Sequence, residues 1–248
     1  MHVIVVGKKE SLRNPRLLTL TSFGFDLDFV DPVFPSAPQL ENPAEQMLNR
    51  ALLGRKLSAG EIGCWLAHAS VRRRIAEKRC HEWHIVLEDD ADCEFMGDAS
   101  EFNDFVQQLN RNTEKSVIVN LYGRNAASSA APRALRRLSA PFAGTVGYMA
   151  NFQAMSQVNS WGVVMTADWP LHLQKASFYE ITPPMVREVF SESLIGDIER
   201  ATSAWGFYAS APLRFFRALA LKVPLGIAAR AVALNPLLRD IKNRLTKL

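Results

Sequence analysis

Cysteine is scarce in this 248-residue chain: Cys64, Cys80 and Cys93 are its only three, and no two are spaced as CxxC. They cannot complete a disulfide framework and point to a reducing compartment. No secretory signal is visible in MHVIVVGKKE, because its apolar run precedes its basic residues; the segment reads instead as a first strand. The apolar stretch from Ala218 to Leu234 is broken by Lys222, Pro224 and Arg230, which makes it a poor transmembrane span. There is no internal repeat, no long low-complexity segment and no break that forces a second domain. With 48% hydrophobic residues, the chain can bury a full core as one large domain, or one domain with a tail.

Negative charge is nearly missing from one end. Residues 212–248 hold eight Lys and Arg against one acid, Asp240, a net of +7. The other 211 residues carry 21 basic and 24 acidic groups. The overall +4 therefore belongs to the tail, and it is weak evidence for nucleic-acid binding by the whole protein. Basic residues interleaved with aromatic and aliphatic ones, as in PLRFFRALALK, suit an interfacial helix on an anionic membrane. A basic helix packed on the domain, or one mediating self-association, fits the same pattern.

Along the chain, VIVV at residues 3–6, closed by Gly7, predicts a buried parallel strand. Residues 11–22 predict a helix and FDLDFV a second strand ending at Asp31-Pro32. Four prolines within 32–43 mark a loop, and a helical pattern runs from Pro43 to Leu53. Ser58 followed by Glu61 is a capping box, opening a helix through Ile62, Trp65, Leu66 and Ala69 toward Lys78. His84–Leu87 reads as a strand, 98–111 as an amphipathic helix and 116–123 as a strand. A loop to about Leu138 follows, then a strand around Gly147-Tyr148-Met149, a short helix near 152–158 and a strand at 161–165. Strands alternating with helices predict an α/β fold with a mainly parallel sheet.

Within WHIVLEDDADCEF (83–95), the apolar run ends in Glu88-Asp89-Asp90, with Asp92 two residues on. Ligands of such sheets bind beyond the carboxyl ends of the strands. A hard divalent cation such as Mg²⁺ or Mn²⁺ takes oxygen ligands, often one or two carboxylates plus substrate phosphates, and would offset the mutual repulsion of these acids. A solvated acidic loop, or aspartates capping a turn, is the plain alternative. Asp90-Ala-Asp92 also has D-x-D spacing, but Glu88-Asp89-Asp90 is favoured because the strand fixes its position.

The longer pattern LSAGEIGCWLAH (57–68), a basic helix, then HIVLEDD (84–90) resembles the family 25 glycosyltransferases, which include bacterial lipopolysaccharide and lipooligosaccharide β-glycosyltransferases. Ala67 stands where that family usually has Ser. Gly144-Thr-Val-Gly147-Tyr148 and Ala167-Asp168-Trp169 continue the likeness, although Ala167 replaces the first of two aspartates in the family's "A-D-D-W". Pro183-Pro184, Glu192-Ser193 and Asp197 to Arg200 follow it downstream. The resemblance spans about 1–205 and is poorest at the N-terminus, where only a strand and Arg13 are kept.

The resemblance implies a GT-A-like, nucleotide-diphospho-sugar-binding α/β fold over 1–211, followed by the basic tail, 212–248. It implies transfer of galactose or glucose from a UDP-sugar, with inversion and Mn²⁺ (or Mg²⁺), to a saccharide or glycolipid acceptor of the cell envelope. The enzyme would sit peripherally on the inner face of the cytoplasmic membrane. Glu88 and Asp90 would hold the metal. Glu61, His68, Asp89 and Arg13 would face the nucleotide sugar, and Asp168, with Glu61 second, would be the general base. Glu61 is equally the capping partner of Ser58, and His68, with Trp65, suits core packing. Arg13 suits a surface arginine and Asp168 a strand stop; Cys64 and Cys93 read as small buried residues, and His81 and His84 as structural or exposed. A family member that kept binding and lost turnover is the main alternative. A phosphohydrolase would need further Asp or His ligands at strand ends, and a surface binder driven by the tail would leave Glu88-Asp89-Asp90 unexplained.

Overall fold

The computed structural model describes residues 1–12, 14–36, 46, 49, 56–78, 82–94, 96–111, 114–123, 132–139, 142, 144–156 and 176–189. Arg13, Cys80, His81, the segment 161–170 with Asp168, the downstream motif from Glu192 and the tail all lie outside the described residues, as does the 211/212 boundary. The chain divides into two compact units, and one of the boundaries between them, Trp65/Leu66, falls within a helix. One unit comprises Met1–Val33, Leu66–Val158 and Gln174–Glu192. The described residues of the other are 34–36, Gln46, Asn49 and 56–65.

The first unit is built on seven strands: β1 (His2–Val6), β2 (Asp26–Val30), β3 (Trp83–Glu88), β5 (Val117–Asn120), β6 (Ala134–Arg137), β7 (Gly147–Asn151) and β8 (Ser177–Thr182). Their order is β2-β1-β3-β7-β5-β8-β6. A separate two-stranded ribbon pairs β4 (Ala91–Asp92) with β9 (Arg187–Glu188). The α-helices with described bounds are α1 (Ala59–Lys78), α2 (Ala99–Asn110) and the single turn α3 (Phe152–Met155). The expected α/β class holds. Five of the seven strands point one way, while β7 runs antiparallel to both β3 and β5, and β6 antiparallel to β8.

β1, HVIVV, is buried at all five positions, as an interior strand covered on both faces must be. Val3, Val5, Ile85, Leu87, Val119 and Met149 belong to one continuous core with Phe102, Phe105 and Leu109 of α2. Fully burying such side chains stabilises the fold by about 1.5–3 kcal/mol each. The opposite face carries Ile4, Val86 and Tyr148, and Tyr148 meets His68 of α1, whose Val71 and Ile75 are buried. Asp98 caps α2 through the N–H groups of Ser100 and Glu101. These hydrogen bonds, the Ser100 hydroxyl first, hold the Asp98 carboxyl below its ordinary value.

Three expectations change in detail. The segment after β1 forms 3-10 turns, Lys9–Ser11 and Pro15–Phe23, rather than an α-helix. The stretch read as loop up to Leu138 contains β6, an edge strand held by β8 alone. β8 itself adds a strand the sequence pattern did not give. His84 is structural: it is buried, with its Nδ1 3.1 Å from Nδ1 of His2 across the β1–β3 pair. Cys64 and Cys93 are partly rather than fully buried. Burial, and then the Asp92 charge, push the Cys93 thiol far up.

Candidate functional site

β3 delivers the acidic run to the carboxyl edge of the parallel strands. Its register with β1 sets Val6 opposite Glu88, so Gly7 and Glu88-Asp89-Asp90 leave the sheet side by side. A Cβ on Gly7 would lie 2.6 Å from Cβ of Asp89, a separation that only glycine allows. Asn14 then ties the acidic turn to the segment after β1. Its backbone N–H donates to Asp89 O (2.9 Å) and its Nδ2 to Ala91 O (2.8 Å). Antiparallel β7 arrives from the other side, and Glu88 N–H donates to Val146 O at 3.0 Å.

The carboxylates differ in surroundings. Glu88 and Asp89 are half-buried, whereas Asp90 is 5% exposed. Asp92 is 4% exposed and committed elsewhere. Its Oδ2 accepts from Arg187 Nε at 2.6 Å and its Oδ1 from Glu94 N–H at 3.1 Å, while Arg187 Nη2 also reaches Glu94 at 2.8 Å. Those bonds raise the Arg187 guanidinium above its ordinary value, the Asp92 hydrogen bond first. The D-x-D reading of Asp90-Ala-Asp92 is therefore closed by an ion pair that fastens β4 to β9. The carboxylate oxygens of Glu88, Asp89 and Asp90 have the hardness that suits Mg²⁺ or Mn²⁺, while Oε1 of Glu88 already meets His68 and Thr145.

His68 lies on α1, 1% exposed, and meets Glu88 directly: Nε2 is 3.2 Å from Oε1. Its Nδ1 is 3.3 Å from the Tyr148 hydroxyl, and the two rings lie 5.9 Å apart. Thr145 Oγ1 donates to the same Glu88 oxygen. One turn beyond His68, Arg72 is 3% exposed. Burial lowers its pKa, and the nearby Tyr148 opposes that shift. Gly144 enters β7 with φ of 100°, in the left-handed region, and a Cβ there would meet the Tyr122 ring at 3.1 Å.

Of the expected residues, the structure sets His68 against Glu88, and Asp89 and Asp90 follow Glu88 in the same acidic turn. Glu61 belongs to the other unit. It is buried and forms the predicted capping box, its Oε2 accepting Ser58 N–H at 2.9 Å while its own N–H donates to Ser58 Oγ at 3.3 Å. Arg13 and Asp168 lie outside the described residues. Thr145, Tyr148, Asn14 and Gly7 were not singled out as site residues. Thr145 and Tyr148 do fall inside the GTVGY stretch.

Residues 13–136, half of the chain, match the family model described as "Glycosyltransferase family 25 (LPS biosynthesis protein)". No curated protein matches the chain. Among solved structures, A197 from STIV aligns at a TM-score of 0.45 and 9% identity, over 75% of this chain and 82% of its own. A putative glucose-1-phosphate thymidylyltransferase from Bacillus anthracis, in complex with a sucrose, aligns at 0.35 and 12%, over 72% and 85%.

Proposed function

Since the chain belongs to glycosyltransferase family 25, whose reaction class is transfer of a sugar from a donor to a saccharide acceptor, we propose that its donor is UDP-galactose or UDP-glucose. The acceptor is the saccharide of a cell-envelope glycolipid, and transfer inverts the anomeric centre. The observation that carries this reading is the run Glu88-Asp89-Asp90 at the carboxyl edge of the parallel strands, fastened from both sides by Asn14 and Thr145.

Glu88 and Asp90 would hold a divalent cation, Mn²⁺ or Mg²⁺. Such an ion neutralises the charge that a diphosphate leaving group gains. Half-buried Asp89 faces the nucleotide sugar, and Arg13, next to Asn14 in the sequence, supplies a guanidinium that suits a diphosphate. Inverting transfer needs a carboxylate to take the acceptor hydroxyl proton. Glu61 already accepts Ser58 N–H in its cap, which favours Asp168 for that role. The basic tail holds the enzyme at an anionic membrane surface, next to a lipid-anchored acceptor; among the described residues no helix is long and apolar enough to cross a membrane.

Calorimetric titration of UDP into the protein, with and without Mn²⁺, tests the reading. Binding should require the metal and be lost in Asp90→Asn. Loss in Asp89→Asn with retention in Asp90→Asn would move the ligand role to the more exposed neighbour. No binding of UDP under either condition would sink the donor assignment, and UDP binding without transfer to any acceptor would mark a chain that kept the site and lost the chemistry.

A further inference from the structure

Glu88 is surrounded by more hydrogen-bonding machinery than a solvent-facing carboxylate requires. Two donors from separate elements converge on one of its oxygens: His68 Nε2 from α1 and Thr145 Oγ1 from the turn before β7. Behind the imidazole stands the Tyr148 hydroxyl. Tyr148 is fully buried, His68 is 1% exposed and Thr145 5%. An ionised carboxylate only accepts hydrogen bonds, so the nitrogen facing Glu88 carries the hydrogen. In a neutral imidazole Nδ1 is then an acceptor, and the Tyr148 O–H is the donor to it. With a neutral His68 the chain of bonds runs in one direction, from Tyr148 through His68 to Glu88, with Thr145 joining at the same oxygen.

We infer that Tyr148, His68 and Thr145 are positioning residues that fix the Glu88 carboxylate in one orientation, and that His68 does not contact the nucleotide sugar. The inference rests on the reading of Glu88 as a cation ligand. Its physical basis is general: partners behind a ligand select its rotamer before the metal or substrate arrives, and losing one commonly weakens metal binding 10–100-fold. His68 is too buried to reach a bound sugar. Its family-like position is explained by what it does to Glu88.

The test uses the full chain with Thr145→Val, Thr145→Ser and Tyr148→Phe. The readout is the Mn²⁺ concentration that supports half-maximal UDP binding by calorimetry, together with the ¹⁵N resonances of the histidine rings. Thr145→Val and Tyr148→Phe should raise that concentration by about tenfold or more, and Thr145→Ser, which keeps the hydroxyl, should stay near wild type. The His68 nitrogens should show the Nε2–H tautomer in wild type, and Nδ1 should shift in Tyr148→Phe. If Thr145→Val does not fold, Tyr148→Phe, which keeps the ring, decides alone. Wild-type binding with an unchanged Mn²⁺ requirement in the hydroxyl-free variants overturns the positioning role by itself. A wild type that binds UDP with neither Mn²⁺ nor Mg²⁺ overturns the cation-site reading, and the inference with it.

Discussion

Gly7, directly after β1, leaves no room for a Cβ beside the acidic turn, because the atom it would meet is Asp89 Cβ rather than the flexible end of a long side chain. Gly7→Ala therefore forces one of the two to move. Overpacking of this kind costs about 1–3 kcal/mol, read as a lower urea midpoint, and Mn²⁺-dependent UDP binding should weaken with it. Unchanged stability and binding would mean that the Asp89 turn gives way freely. The acidic run was legible as residues, because carboxylates closing an apolar strand stand out in any sequence. Thr145 was not. It meets Glu88 from 57 positions away, and only the register that sets Leu87 against Gly147 brings it there. Asp92 shows the converse: its spacing suggested a ligand, and Arg187, 95 positions on, claims it.

Among the elements, the end of β7 hangs on Asn151. Its Oδ1 accepts from Val117 N–H (3.1 Å) and from Ala154 N–H (3.0 Å), and its Nδ2 donates to Lys115 O (2.8 Å). One buried side chain thus caps α3 and fixes the start of β5. Asn151→Ala leaves buried backbone groups without partners and should cost about 2–3 kcal/mol by denaturant unfolding; a loss under about 0.5 kcal/mol would mean that water replaces the amide. Elements with a local physical signature were readable: β1 and β3 by continuous apolar runs, α1 by its capping box, α2 by Asp98 and its buried Phe102, Phe105 and Leu109. β6, ALRR, is mostly exposed and held from one side, so its sequence looks like loop. β8 has the aromatic and β-branched content of a strand, but its six residues show no alternation of burial. The reversed direction of β7 has no local signature, since strand polarity is set by the partners.

For the whole molecule, charge is distributed unevenly, +7 in residues 212–248 and −3 elsewhere. If that segment seats the enzyme on anionic lipid, then replacing Lys242, Arg244 and Lys247 by Gln should weaken sedimentation with phosphatidylserine vesicles about a hundredfold at low salt, at roughly 1 kcal/mol per charge. Wild-type binding that ignores salt would contradict an electrostatic anchor. The α/β class was legible from the alternation of patterns; the strand order was not, and that order has a consequence for what kind of object the family pattern describes. Residues 13–136 contain β2, β3, β4, β5 and most of β6. In the sheet, β2 pairs with β1, β3 with β1 and β7, β4 with β9, β5 with β7 and β8, and β6 with β8. No two of the five are neighbours. The strands of the recognisable stretch therefore pair only with strands that precede or follow it, so its share of the sheet is completed from outside the pattern that marks the family.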